Sequence, residues 1–151
     1  MPFPNGHQLR RGRYSEPGRL YLLTTVTRHR KPLFLEFHCA RMVISHLRLL
    51  DREQACRSLA WVVMPDHVHW LIELKAVALS TLMRHFKARS SQMLRKAGGV
   101  TAAVWQAGYH DRALRREEDV VKVARYIVAN PLRAGLVQKL GDYPHWDAIW
   151  V

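Results

Sequence analysis

The sequence predicts an α+β fold in which one antiparallel sheet carries two helices on one face and a third helix on the other. Three observations support it: a β-branched run over residues 20–27, two apolar runs that flank Met64-Pro65-Asp66, and helical spacing of apolar residues in three longer segments. The predicted order is β-α-β-β-α-β-α, and its first six elements match the split β-α-β, or ferredoxin-like, plan. The third helix is then left to cover the other face.

Each element up to the second helix has its own local signal. Apolar residues recur at helical spacing over residues 36–50, which predicts the first helix. A hairpin follows, with strands over about 57–64 and 67–74 joined by a turn that proline pre-sets. Ser80 is predicted to cap the second helix, and Gly98-Gly99 to end it.

The C-terminal third predicts one more strand and one more helix. The strand covers about residues 105–114. The third helix begins at 117–119, where three acidic residues suit the helix dipole, and it ends at Asn130-Pro131 because proline cannot continue a helix. Residues 132–151 contain two glycines and a proline, and we expect an irregular tail there. Residues 1–18 are similarly punctuated and predict a basic N-terminal arm.

Length and charge limit the class of protein. The chain of 151 residues is most simply one domain, and it carries 24 Lys and Arg against 12 Asp and Glu, a net charge of +12. The excess lies in two blocks: residues 1–35 hold seven basic groups and one acid, and residues 75–110 hold six basic groups and no acid. Such clustering favours a polyanionic partner, nucleic acid above a membrane, over the alternative of a solubility device.

Localisation is predicted from what the chain lacks. No apolar run of about 18 residues is present, so no transmembrane helix is indicated, and residues 1–7 lack the apolar core of a signal peptide. The only cysteines, Cys39 and Cys56, therefore predict reduced thiols in a cytoplasmic protein.

Candidate DNA-binding residues come from the two basic blocks. They occur on the arm, directly after the first strand, and along the polar stripe of the second helix: Arg10, Arg11, Arg13, Tyr14, Arg28, Arg84, Lys87 and Arg95. A solvated tail and a solvated helix face are the alternatives.

Two short patterns predict a reactive site. His67 and His69 fall on the same face of a strand, directly after the turn, whereas Tyr126 and Asn130 lie one helical turn apart and outside the apolar arc. Two neutral imidazoles and one oxygen ligand can hold a divalent ion, and a phenolic oxygen can attack a phosphorus atom. The His-x-His pair alone is as compatible with a structural role; the tyrosine pattern and the basic blocks favour the functional one.

These residues resemble those of a known family. His67-Val68-His69 resembles the His-hydrophobic-His (HUH) motif of single-strand DNA nucleases. The run Tyr126-Ile-Val-Ala-Asn130-Pro-Leu-Arg-Ala-Gly-Leu-Val137 resembles the tyrosine helix of the REP-associated tyrosine transposases, a branch of the IS200-like single-tyrosine transposases. The same family order is followed by Gly12-Arg-Tyr-Ser-Glu-Pro-Gly18, Met64-Pro-Asp-His67 and Trp105-Gln-Ala-Gly-Tyr-His-Asp111. One departure is Arg112, where relatives often have histidine.

The resemblance implies a metal-dependent strand transferase on single-stranded DNA that is folded as a hairpin, the repetitive extragenic palindrome. It implies Mg²⁺ or Mn²⁺ held by His67, His69 and Asn130, and Tyr126 as the nucleophile of a 5′-phosphotyrosine intermediate. Tyr109 is a second candidate nucleophile, although sheet packing is the more ordinary role for it, and Glu73 is a poorer ligand candidate than Asn130. The enzyme would be a monomer or homodimer, cytoplasmic and associated with the nucleoid.

Two rival functions stay open on sequence grounds. The first is a non-catalytic hairpin-binding module derived from a transposase. The second is a replication initiator or relaxase of the same motif superfamily, although those chains usually carry further domains. Covalent attachment of DNA to the protein separates the first rival from the enzyme.

Overall fold

The computed structural model describes residues 18–98, 100–115 and 120–150. These residues form one antiparallel sheet of five strands, in the order β4-β1-β3-β2-β5, and four α-helices. The strands are β1 (Leu20–Val26), β2 (Cys56–Met64), β3 (His67–Leu74), β4 (His110–Ala113) and β5 (Trp146–Ala148), and the helices are α1 (Phe37–Arg52), α2 (Leu79–Lys96), α3 (Val120–Val128) and α4 (Asn130–Arg133). The order of the first four strands is that of a ferredoxin-like sheet, which confirms the predicted fold.

The strands alternate apolar residues between two cores, one on each face of the sheet. Helices α1 and α2 pack on the first face, where Trp70 of β3 and Phe86 of α2 lie at the centre with their ring centroids 5.5 Å apart. Helix α3 packs on the second face against β2 and β5, and its Ile127 joins Val62 and Leu71 there. The third helix therefore covers the face that the sequence left to it.

Two helix boundaries test the capping signals. Ser80 does not cap α2, so that prediction is wrong: the cap lies two residues earlier, at Ala78, and it makes no side-chain cap bond. Leu79 is buried in the first core, and we attribute the earlier helix start to this packing, which places Leu79 in the first turn. Gly98 ends the helix as predicted, with φ of +86°, whereas residue 99 lies outside the described residues.

The tail is more ordered than predicted. Residues 132–151 were expected to be irregular, but α4 extends to Arg133 and the three residues of β5 pair with β2, with Ala148 opposite Ala60. Three residues are too few to show a strand periodicity, so no sequence signal marks β5. The predicted start of the third helix at 117–119 lies outside the described residues.

Two further sequence expectations concern the cysteines and the membrane. Cys39 and Cys56 are both free thiols. Of the helices that the structure describes, none is long and apolar enough to cross a bilayer.

Candidate active site

The hairpin turn places both histidines at the start of β3, on the face that α3 covers. In the sheet register His67 lies opposite Val26 and His69 opposite Thr24, so their side chains share one face. Their ring centroids are 4.9 Å apart and the rings are nearly perpendicular. The predicted pairing of the two imidazoles is therefore present.

Asp66 fixes the ring of His67. The His67 Nδ1–H donates to Asp66 Oδ1 at 2.7 Å, and Arg30 donates to the other carboxylate oxygen at 2.9 Å. Burial alone would raise the pKa of Asp66, but the hydrogen bonds from His67 and Arg30 outweigh it and lower this pKa below its ordinary value. With Nδ1 carrying the proton, Nε2 is the nitrogen of His67 that has a lone pair to offer.

The loop that carries Arg30 is tied to the same turn. The backbone N–H of Thr27 donates to the Asp66 carbonyl at 2.9 Å, and its hydroxyl lies 2.8 Å from the Lys31 carbonyl and 3.0 Å from the Asp66 carbonyl. Directly after it, His29 and Arg30 have φ of +58° and +51°, a left-handed conformation that non-glycine residues seldom adopt. The hydrogen bonds of Thr27 hold this strained turn against the hairpin, and the turn places the Arg30 guanidinium within hydrogen-bond distance of Asp66.

Thr24 supports the second histidine from the neighbouring strand. Thr24 Oγ1 and His69 Nδ1 lie 2.9 Å apart. Burial, and then the electrostatic influence of His67 and Arg133, lower the pKa of His69 to about 3. His69 is therefore neutral at physiological pH, which is the form that binds a metal ion.

Helix α3 presents the predicted nucleophile at its outer edge. Ala124, Ile127 and Val128 are buried against the sheet, whereas Tyr126 is 65% exposed. The phenol thus stands outside the apolar core, as the helical spacing predicts, and a substrate can reach it.

Asn130 repairs the break that proline makes. Pro131 has no N–H to donate to the Ile127 carbonyl, four residues back, so α3 ends and α4 begins. The Asn130 Nδ2 donates to that same carbonyl at 2.8 Å and replaces the missing bond. The amide nitrogen is thereby committed to the backbone, and the amide oxygen is the atom left to act as a ligand.

Helix α4 is one turn long and is closed at its far end by glycine. Gly135, with φ of +73°, donates to the Leu132 carbonyl at 3.0 Å, and Leu136 donates to the Pro131 carbonyl at 2.9 Å. This is the Schellman arrangement, which satisfies the last carbonyls of a helix. The Asn-Pro-Leu-Arg-Ala-Gly-Leu run therefore encodes one complete turn with a defined start and end.

Arg133 lies against the predicted nucleophile. Its guanidinium carbon is 3.9 Å from the centroid of the Tyr126 ring. The helix that bears Tyr126 packs on the second face of the sheet, which is also the face of the two histidines, so the two motifs, far apart in sequence, lie on the same side of the sheet.

The donor set fits a divalent metal ion when the amide is included. Within the residues that the structure describes, no group of three or more His, Cys, Asp or Glu residues is arranged to hold a metal. His67 and His69 each have Nδ1 engaged and Nε2 as the remaining donor, and Asn130 can add an oxygen. Imidazole nitrogens with an amide oxygen are ligands that first-row divalent ions accept.

The predicted DNA-binding residues that the structure describes lie on more than one surface. Arg10, Arg11, Arg13 and Tyr14 lie outside the described residues. Arg28 is exposed and follows Thr27, near the hairpin turn. Arg84 and Arg95 are exposed on α2, which packs on the face opposite the histidines.

Lys87 has backbone partners in the structure. Its ammonium group donates to the Gln106 carbonyl at 2.6 Å and also to the Gly108 carbonyl. A lysine that holds two backbone carbonyls joins α2 to the segment before β4, so we expect a structural role for it, and its contact with DNA stays a prediction. Helical spacing could place Lys87 on the polar stripe but could not show what faces it.

The remaining candidates separate by face and by partner. Tyr109 is buried in the first core, on the face away from the histidines, which is the packing role. Glu73 makes ion pairs with Lys75 at 3.5 Å and Arg57 at 3.9 Å. Arg112 pairs with Leu22 and His110 with Thr24 in the sheet register, so both stand on the histidine face at the β4 edge.

Sequence reasoning missed four residues that organise the site: Thr24, Arg30, Asp66 and Arg133. Asp66 and Arg133 lie inside the two quoted motifs, and their positions next to His67 and Asn130 were the available signal. The sequence shows Asp66 next to His67, but it does not show that the Asp66 carboxylate binds both His67 and Arg30. Thr24 and Arg30 come near the histidines only through the sheet register and the loop, which no local pattern shows.

A ferredoxin-like sheet whose histidine strand faces a tyrosine-bearing helix defines the class expected from the motifs, a transposase. The family model described as "Transposase IS200 like" matches residues 19–130, and the chain belongs to this family. The REP-associated tyrosine transposase of Escherichia coli K12 is 26% identical over 136 residues, which cover 87% of this chain and 78% of that protein. A Haemophilus influenzae protein provisionally given the same name is 22% identical over 144 residues, covering 85% of this chain and 78% of its own length.

A solved structure shows the same fold. It is a REP-associated tyrosine transposase bound to a REP hairpin, with a TM-score of 0.74 and 24% identity; the match covers 89% of this chain and 79% of that one. The resemblance seen in the motifs is thus confirmed for the family and for the fold.

Proposed function

We propose that this transposase cleaves and rejoins single-stranded DNA beside a hairpin, with Tyr126 as the nucleophile. His67, His69 and Asn130 would hold Mg²⁺ or Mn²⁺. The observation that carries the proposal is that the two motifs share one face of the sheet: α3, which bears Tyr126, packs through Ile127 and Val128 on the face to which His67 and His69 belong.

The residues divide the reaction between them. The phenolic oxygen of Tyr126 attacks the scissile phosphorus and loses its proton, forming a P–O bond to the protein. The bond from phosphorus to the 3′ oxygen breaks, and that oxygen takes up a proton. The products are a 5′-phosphotyrosine and a free 3′-hydroxyl, which can reverse the step or join a new end. A bound divalent ion would supply polarisation of a phosphoryl oxygen and offset the charge that develops there.

The chain's own groups prepare this step before DNA arrives. Asp66 and Thr24 hold the two imidazoles through Nδ1, and the burial of His69 keeps it neutral. Asn130 has its amide nitrogen fixed by the Ile127 carbonyl. All three ligand side chains are thus oriented by bonds that do not involve the metal.

The substrate class follows from the relatives. The solved structure with the same fold holds a REP hairpin, and the Escherichia coli relative is named for such elements. The net charge of +12 favours a polyanion. We therefore propose hairpin DNA with a single-stranded flank as the substrate, and chromosomal DNA in the cytoplasm as its setting.

A covalent adduct tests the proposal. The protein is incubated with Mn²⁺ and a set of hairpin oligonucleotides that carry single-stranded flanks, and the mixture is run on a denaturing gel. We expect a DNA-protein adduct that Tyr126→Phe abolishes while hairpin binding is retained, whereas Tyr109→Phe retains both. An adduct that survives Tyr126→Phe would refute the nucleophile, and binding of hairpins with no adduct on any of them would support a non-catalytic binding module.

A further inference from the structure

The position of Arg133 is not explained by the stability of the fold. Its guanidinium lies over the face of Tyr126, whose ring is 65% exposed, and a cation–π contact at an exposed site contributes little to stability. Arg133 is itself exposed. Within the described part of the chain, no carboxylate forms an ion pair with it.

The backbone holds Arg133 in place. It is the last residue of α4, the single turn that Pro131 begins and Gly135 closes. Residues three apart on a helix are neighbours on its surface, so Arg133 and Asn130 belong to the same side of this turn. The side that would supply the third metal ligand therefore also supplies a positive charge.

We propose that Arg133 binds the scissile phosphate through its N–H edge while the face of the same guanidinium holds the Tyr126 ring. A guanidinium can do both at once, because it is planar, it stacks on aromatic faces, and its donors lie in a fork that matches phosphate oxygens. One side chain would thus set the distance between nucleophile and phosphorus, and its charge would stabilise the transition state. The inference rests on the proposed function and adds a residue to its site.

Three variants separate this role from a general effect of charge. Arg133→Gln removes both the charge and the stacking fork, whereas Arg133→Lys keeps the charge and loses the fork. The control is Arg125→Gln, which makes the same charge change at an exposed residue next to Tyr126 on α3. Circular dichroism and thermal melting first establish that all three variants are folded.

The first readout is the rate of adduct formation at saturating hairpin with Mn²⁺. We expect Arg133→Gln to lower this rate by about 10²–10³-fold, the usual loss when one preorganised donor to a transition-state charge is removed. Arg133→Lys should also lower the rate, because a lysine cannot stack on the ring and bind the phosphate at once. For both Arg133 variants, we expect KM to change much less than kcat. Arg125→Gln should remain near wild type. Equal rates for Arg133→Gln and Arg125→Gln would overturn the proposal.

The second readout needs no chemistry. In a Tyr126→Phe background with EDTA, the affinity for a single-stranded oligonucleotide is measured across a salt series. Arg133→Gln should reduce the magnitude of the slope of log K against log salt by about 0.7, the contribution of one phosphate contact on a single strand, and Arg133→Lys should preserve the slope. If the wild type forms no adduct, the proposed function fails, but the salt slope still tests the phosphate contact. A slope for Arg133→Gln equal to that for Arg125→Gln refutes this contact.

Discussion

Asp66 should be required for tight metal binding although it is not a proposed ligand. Its carboxylate holds the Nδ1–H of His67 at 2.7 Å, which fixes the tautomer and turns Nε2 toward its role as donor. We predict that Asp66→Ala weakens Mn²⁺ binding to the metal-free protein. The loss should be about 10–100-fold, which corresponds to about 1.4–2.7 kcal/mol of binding free energy.

The outer partner of this chain of bonds should matter much less. The Arg30 side chain is 62% exposed, and an ion pair at such a site contributes about 0–1 kcal/mol, so Arg30→Gln should cost no more than about fivefold in affinity. The structure thus predicts an order of Mn²⁺ affinities. The affinity of Asp66→Ala should be far below that of Arg30→Gln, and the affinity of Arg30→Gln should be close to that of the wild type. Isothermal titration calorimetry with Mn²⁺ measures all three dissociation constants.

Loss of a negative charge near the bound cation would weaken Mn²⁺ binding even if the His67 ring were unaffected. Two control variants separate this charge effect from the effect on His67. Glu73→Gln removes a carboxylate from β3, on the face that carries His67 and His69. Glu73 forms ion pairs there with Lys75 and Arg57. Asp66→Asn removes the charge but keeps an oxygen that can accept from His67. The reasoning is refuted if Asp66→Ala binds Mn²⁺ as tightly as wild type, or if Glu73→Gln weakens binding to the same extent.

Two further predictions concern stability. The pKa of His69 is lowered from 6.5 to about 3, so between these values the unfolded chain binds a proton that the folded protein does not, and the free energy of unfolding should fall as pH decreases, by at most about 1.4 kcal/mol per pH unit. Urea unfolding of the metal-free protein should show that His69→Asn flattens this profile; a profile identical to that of the wild type would contradict the assignment. Lys87→Met should lower the free energy of unfolding by about 1–3 kcal/mol, because two charge-assisted bonds to carbonyls are lost. Arg84→Met, on the exposed side of α2, should change it by no more than about 0.5 kcal/mol. Equal effects of the two substitutions would refute the structural role of Lys87.

The sequence predicted the sheet well because its signals are local and periodic. The hairpin of β2 and β3 was placed to within a residue, since two apolar runs flank a turn that contains proline. β5 was missed because three residues carry no periodicity, and its place beside β2 depends on the long-range packing of Ala148 and Trp146. Propensity also failed at Ser80, where burial of Leu79 decided the helix start.

The candidate site was half predictable for a related reason. His67, His69, Tyr126 and Asn130 stand in patterns that residue chemistry and spacing can expose. Their supporting residues come from other strands and loops: Thr24 reaches His69 only because β1 and β3 pair in one register, and no spacing in the sequence contains that fact.

The proline-to-glycine segment after Tyr126 shows why a functional motif can also be a structural one. Pro131 removes one backbone donor, and the side chain of Asn130 replaces it at 2.8 Å from the Ile127 carbonyl. The same bond commits the amide nitrogen and leaves the amide oxygen available, so the residue that repairs the helix is also left with a ligand atom. Gly135 then ends the turn, which fixes Arg133 as its last residue, against the Tyr126 ring. A substitution at either end of this turn would move Asn130 and Arg133 together, because one short helix carries both.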